Sequence, residues 1–341
     1  MRALTGIKPT AMPHVGNLLG VIEPALRLQN EHEAFYFIAD YHAITSLHDR
    51  VRLVQYTREV AATWLALGLD PDRTALFLQS DVPEVNELAW LLACVTGIGA
   101  LERAHAYKSA QAAGRDINVG TFLYPVLMAA DILIYDSNLV PVGRDQKQHV
   151  EMARDMAAAF NSRFGEVLVI PEPLIRDDVA IIPGLDGQKM SKSYDNTIEV
   201  WLPEKALRKK VMSIVTDSKG VDDIKDPDTC NVFALYKHFA DAEAQAALAS
   251  RYRRPGLGYG HAKQALVEAM EARLAPARER YQALLANPAA IDAVLFDGAH
   301  RARTLAIAVL ARVRAAVGLS AAPRVVVPSS PPLAHKIDRS S

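Results

Sequence analysis

Short apolar runs alternate with longer stretches of helical periodicity through the first half of the chain. Ala3–Ile7, Ala34–Ala39, Thr74–Gln79, Leu139–Val142 and Val167–Ile170 read as strands. Between them the apolar spacing predicts helices near 17–30, 51–67, 84–96, 122–136 and 145–160. This alternation predicts an α/β fold: a doubly wound, Rossmann-like parallel sheet with helices on both faces and a ligand site at the carboxyl ends of its strands. Pro24, inside the first helical pattern, should kink it or start a new helical turn. After Asn196 the strand-like alternation stops, and Ala-rich helical runs follow at about 204–215, 231–250, 260–286 and 289–317. They predict an all-helical C-terminal subdomain. Ala321–Ser341 is rich in Pro and Ser and is expected to be a disordered tail, so the chain divides into 1–197, 198–320 and 321–341.

Composition narrows the picture. At 341 residues, half of them hydrophobic and 23% charged, the chain is long enough for a full core and a second helical unit. A formal net charge of -1 gives no global attraction to nucleic acid, so any such contact must come from local patches. Cys94 and Cys230 lie far apart and are too few for an all-cysteine zinc site, which points to reduced packing cysteines. Neither a secretory h-region nor a bilayer-length apolar segment is present in the sequence, and the expectation is a soluble cytoplasmic protein without a membrane partner.

Three segments carry candidate chemistry. Lys189-Met190-Ser191-Lys192-Ser193 follows Pro183-Gly184 and Gly187. Two ammonium groups three residues apart, next to glycine hinges, can close on a polyphosphate whose charge grows as a leaving group departs. Taken alone, such a stretch is better explained by a solvated loop. The second segment, Pro13-His14-Val15-Gly16-Asn17, stands between a strand and a helix, where unpaired N–H groups and the helix dipole attract phosphate. Gly16 lets a nucleotide approach the backbone closely. The third is helix 122–136, on which Tyr124, Met128, Asp131 and Tyr135 share one face. An acid within an apolar stripe needs donors, and a ligand N–H could supply one.

Together, the His14 and Lys189–Ser193 motifs resemble the paired signatures of class I aminoacyl-tRNA synthetases, with Asn17 where a second histidine often stands. Within that class, Thr5–Thr10, Ala39–Thr45, Tyr124–Leu133 and Val140–His149 resemble the tryptophanyl branch, and the likeness runs from about residue 3 to about residue 318. It implies a tryptophan–tRNA ligase that joins tryptophan to ATP, with Mg²⁺, and passes the acyl group to tRNA(Trp). His14, Lys189 and Lys192 are then catalytic. Lys8, Pro9, Thr10, Gly16, Asn17, Gly143, Arg144, Asp145, Ile182, Met190, Ser191 and Ser193 join the two lysines in the ATP site. Asp131 accepts from the indole N–H, with Met128, Tyr124, His42, Val140, Val142 and Gln146 around the ring. The resemblance also implies a homodimer, with apolar segments around 84–100 and 122–135 at its interface, and a tRNA-binding role for residues 198–320. Arg208–Lys210, Arg251–Arg254 and the series Arg301, Arg303, Arg312, Arg314 are candidate RNA contacts.

Two positions depart from the family pattern. Lys8 stands where glutamine is usual and would add a positive charge beside the phosphates. Ala11 stands where glycine is usual and restricts the backbone. Asp145 also reads as an N-cap, and Lys108 as a further lysine over the phosphates or a solvated helix residue. A tyrosyl-type synthetase, a paralogue that binds tRNA or tryptophan without charging, and a small-molecule nucleotidyltransferase are the competing readings.

Overall fold

The computed structural model describes residues 1–112, 114, 117–143, 147–175 and 182–319. Five strands, β1 (Arg2–Ile7), β2 (Glu33–Ile38), β3 (Thr74–Leu78), β4 (Leu139–Val142) and β5 (Glu172–Ile175), form one sheet in the order β3-β2-β1-β4-β5. Every neighbouring pair is parallel. The chain fills one side of β1 with β2 and β3, then crosses to the other side for β4 and β5. The switch point therefore lies between β1 and β4, where a doubly wound sheet opens its ligand crevice.

Strand β2 shows how the sheet is buried on both faces. Ala34, Tyr36 and Ile38 enter one core with Trp64, Leu266 and Leu274, while Phe35, Phe37 and Ala39 enter the other with Phe77, Leu133 and Val309. The C-terminal helices share these cores with the sheet. Helix Tyr259–Ala286 contributes to the first, and helix Pro288–Ala316 lies along the outer strand β3. A Cβ on Gly298 would come within 2.0 Å of the Leu76 carbonyl oxygen, so only glycine permits this approach of helix to strand. The helix thereby covers an edge that would otherwise be open to pairing.

Residues 167–170, expected as the fifth strand, are a loop. Asn161 donates to the Leu168 carbonyl (2.8 Å) and accepts from the N–H groups of Val167 (3.1 Å) and Leu168 (2.9 Å), so one side chain meets three backbone groups at the start of the segment. Pairing starts at Glu172, whose N–H bonds the Asn138 carbonyl at 2.8 Å. Pro173 lacks a ladder donor and is tolerated because β5 is an edge strand.

Pro24 acts as its sequence position suggested. It is preceded by a π-helical turn, Leu18–Ile22, whose Glu23 N–H reaches back to the Leu18 carbonyl, and a new α-helix runs Glu23–Leu28. The helix expected over 231–250 is two, Asn231–Tyr236 and Ala242–Tyr252. Asp241 caps the second by accepting from Ala244 N–H (2.8 Å), and Gln245 donates to the freed carbonyls of Lys237 and Ala240. Among the described residues, no helix is long and apolar enough to cross a membrane.

Candidate active site

The chain leaves β1 at Ile7 and turns through residues 8–14 into the first helix. His14 pairs in an antiparallel bridge with Glu199: Val15 N–H bonds the Ile198 carbonyl (2.8 Å) and Val200 N–H bonds the Pro13 carbonyl (3.1 Å). Asn17 accepts from the His14 N–H at 3.1 Å, which fixes the first turn. Gly16 N–H points at the Met190 sulfur, 3.3 Å away, joining two motifs 174 residues apart in sequence. A Cβ on Gly16 would fall 2.9 Å from atoms of the His14 ring.

The lysine loop is stitched from within. Pro183 bridges Lys189, Met190 N–H bonds the Ile182 carbonyl (2.8 Å), and Gly187 takes a φ of +84° that suits glycine alone. Asn196 donates to the Lys189 carbonyl (3.1 Å) and to Asp186 (2.7 Å), and accepts from Ser191 N–H (2.8 Å). Gly184 must lack a side chain, since a Cβ there would sit 2.4 Å from Asn196. Met190 is buried as the loop's anchor, while Lys189 and Lys192 are exposed. Ser191 and Ser193 join their hydroxyls at 2.8 Å.

His14 is 8% exposed, and its Nδ1 is buried without a partner. Burial first, then the positive charge of Lys192, lowers its pKa to about 4, against an opposing pull from Glu199. The imidazole is therefore neutral near pH 7 and can offer a phosphate oxygen one N–H rather than a charge.

On the other side of the β1 turn, Asp131 is buried at the heart of a polar cluster. Its Oδ2 lies 3.0 Å from His42 Nε2, and Gln79 Nε2 donates to both carboxylate oxygens at 2.9 and 2.8 Å. Gln79 also accepts from His42 N–H at 3.4 Å. Burial raises the Asp131 pKa, and the His42 and Gln79 hydrogen bonds offset only part of the rise. Tyr124 meets the His42 ring edge-on at 6.1 Å and hydrogen-bonds His149. Val140 is buried and Val142 and Met128 half-buried around the same apolar cluster.

Lys8 lies over the Tyr124 ring, its Nζ 5.4 Å from the centroid. Surrounding protein lowers its pKa, and the effect is limited because the side chain keeps much of its surface open to water. Of the other expected site residues, Pro9 and Ile182 are buried, Thr10 is half-buried and Gly143 exposed. Arg144, Asp145 and Gln146 lie outside the described residues, as does the expected tail 321–341. The helix ends at Leu133 rather than at 136, so Tyr135 lies in the turn beyond it and stacks on Phe35 at 5.8 Å as plain core. Lys108 is exposed on helix His105–Ala112. Among the described residues no group of three or more His, Cys, Asp or Glu side chains could hold a metal ion.

The sequence reading missed Gln79, His149, Asn196 and Glu199. Gln79 carried one signal: a polar side chain closing an otherwise apolar strand, at the end where ligands bind. The basic series on the last helix is paired within the protein. Arg301 bonds the Pro71 and Thr74 carbonyls, Arg303 grips buried Glu84, Arg312 pairs with Asp136 and Arg314 with Glu87. These charges tie the last helix to the loop before β3, to helix Glu84–Ala93 and to the turn at Asp136. Arg251, Arg253, Arg254, Arg208 and Lys209 remain exposed.

A parallel sheet with its crevice at the switch point, a histidine turn and a lysine loop touching through Gly16 and Met190 define a nucleotide-using synthetase site of class I. The family of class I tRNA synthetases (W and Y) matches residues 1–275, and the chain belongs to it. It is thus an aminoacyl-tRNA synthetase. The relatives point to the tryptophan branch. The chain is 49% identical to a tryptophan–tRNA ligase of Pseudomonas aeruginosa, covering 93% of this chain and 74% of that one. It is 47% identical to the Fusobacterium nucleatum tryptophan–tRNA ligase, covering 93% and 98%. The tryptophanyl-tRNA synthetase of Campylobacter jejuni, crystallised with ADP and tryptophan, superposes with a TM-score of 0.88 at 46% identity, covering 94% of this chain and all of that one.

Proposed function

We infer that this chain is a tryptophan–tRNA ligase. The tryptophan carboxylate attacks the α-phosphate of ATP, giving tryptophanyl-adenylate and pyrophosphate, and the 3′-terminal ribose hydroxyl of tRNA(Trp) then takes the acyl group. Because the first nucleophile belongs to the substrate, the protein contributes position and charge. Lys189 and Lys192 stabilise the departing pyrophosphate, His14 donates to a phosphate oxygen, and Gly16 and Asn17 border the nucleotide. Because no cluster of His, Cys, Asp or Glu among the described residues could hold a metal, Mg²⁺ would be carried by the ATP phosphates themselves and would supply further charge neutralisation beside the two lysines.

The observation that carries the amino-acid assignment is buried Asp131, held by His42 and Gln79, with Tyr124 edge-on to His42 and Met128 one turn earlier on the same helix. An indole N–H can donate to this carboxylate, whereas a phenyl ring leaves it short of a donor, so rejection of phenylalanine needs no editing step. Residues 198–320 serve as the tRNA-binding part, with the exposed arginines near 251–254 and residues 208–209 as phosphate contacts. A homodimer accounts for the large apolar side chains left in water at Trp90, Ile98 and Val119, which are 70%, 68% and 71% exposed. The setting is the cytoplasm, in keeping with two free cysteines. Charging of tRNA(Trp) with tryptophan by the purified chain is the test. Preference for tyrosine, or tRNA binding without charging, would overturn the reading.

A further inference from the structure

The last helix fastens the end of β3 on both sides of Gln79. Before it, Gly298 packs against the Leu76 backbone, where a Cβ would sit 2.0 Å from the carbonyl oxygen. After it, Arg303 grips Glu84: Nε lies 3.3 and 3.2 Å from the two carboxylate oxygens, and Nη2 donates to Oε1 at 2.8 Å. Glu84 opens helix Glu84–Ala93 and is 1% exposed, so its carboxylate depends on such donors. Between the two fastenings lies the turn Gln79–Asp81, from which Gln79 reaches both oxygens of Asp131. The turn is tied to the helix that carries His42 as well: Ser80 donates to Asp40 through its N–H (3.0 Å) and its hydroxyl, and Asp40 opens that helix. The Arg303 guanidinium also faces Asp81, whose carboxyl is pushed up by burial and then by the charge of Asp40, with Arg303 offsetting part of the rise.

We propose that Arg303 is a positioning residue for tryptophan: through Glu84 it holds the Gln79–Asp81 turn where the Gln79 amide keeps the Asp131 carboxylate aimed at the indole N–H. The proposal rests on Asp131 being the indole acceptor. A buried carboxylate recognises an N–H by direction as well as by charge, and a shift of about 1 Å in its support is enough to weaken a site of this kind. The guanidinium fork suits the task, because a bidentate pair fixes orientation where a point charge fixes only distance. The last helix thereby takes part in amino-acid recognition, acting through Glu84 and Gln79.

Tryptophan-dependent ATP–pyrophosphate exchange on the full chain tests this. Arg303→Met is expected to raise KM for tryptophan by about threefold to fivefold, with KM for ATP and kcat within about twofold of wild type. Arg303→Lys, which keeps the charge and loses the fork, should recover part of the loss. Because Arg303→Met alone leaves the buried Glu84 charge behind, a second variant combines it with Glu84→Gln. That double variant removes both partners and should show the same rise in KM for tryptophan even where Arg303→Met folds poorly. In a Gln79→Leu background Arg303→Met should add little. Arg314→Met is the control: Arg314 pairs with Glu87 between the same two helices, one turn further from Gln79, and its loss should leave KM for tryptophan unchanged. If loss of the Arg303 grip moves neither KM, moves both alike, keeps its effect without Gln79, or is matched by Arg314→Met, the arginine only fastens the helix. Should Asp131→Ala leave specificity unaltered, the acceptor assignment fails instead.

Discussion

The two halves of the site handle charge in opposite ways. The lysine loop keeps Lys189 and Lys192 in water and buries only its anchor, Met190. The acid pocket buries its charge completely and surrounds Asp131 with His42 and Gln79. An exposed ammonium can change partners at little cost, which suits a group whose work begins when charge moves onto pyrophosphate. A desolvated carboxylate cannot lose a partner cheaply, which suits a group that tells an N–H from its absence. On the proposed reading, rate and selectivity are built on different sides of the β1 turn, and they should be separable by mutation.

The strongest break in the comparison is expected from Lys192→Ala. It should slow tryptophan-dependent exchange by about 10²- to 10³-fold with little change in the tryptophan-over-phenylalanine ratio. A loss of selectivity of similar size would show that the two regions are not distinct. Asp131→Ala should do the reverse, raising KM for tryptophan and relaxing rejection of phenylalanine by about 10²-fold, as competition exchange assays would report. Unaltered specificity would remove Asp131 from the pocket. Gln79→Leu, which takes one donor from Asp131 while leaving His42, should raise KM for tryptophan by about tenfold. An effect on KM for ATP alone would put Gln79 on the wrong side of the turn.

The smallest effect concerns pH. His14 has its pKa lowered from 6.5 to about 4, so across that interval the unfolded chain holds a proton that the folded chain does not. The stability contributed by neutral His14 is full above about pH 6.5 and is lost as pH falls toward 4. Its ring resonance should titrate near pH 4 by NMR, and exchange should show no His14 inflection between about pH 5 and 8. Titration near 6.5 would mean that the ring is open to water and carries charge during the reaction.

The parallel sheet was legible because its signal is local: Ala34–Ile38 and Thr74–Leu78 are unbroken apolar runs flanked by helical periodicity. Residues 167–170 misled because Val167, Leu168, Val169 and Ile170 look like a strand, while a side chain from the preceding helix meets their backbone, and prolines disguise the strand that follows. The lysine loop and histidine turn were legible as motifs, and the structure brings them into contact through Gly16 and Met190. The polar cluster was only half legible. Asp131 was marked by its place in an apolar stripe, but Gln79 comes to it from 52 residues away and His42 from 89, and no periodicity records such meetings. Lys8 was expected beside the phosphates, and the structure stacks it on Tyr124, the boundary between the two halves of the site.

The central claim is tested most directly by ATP–pyrophosphate exchange with each of the twenty amino acids in turn. Exchange with tryptophan, with phenylalanine and tyrosine lower by about 10⁴-fold or more, is the result expected of a buried acceptor matched to an indole N–H. Exchange led by tyrosine, or none with any amino acid, would contradict it.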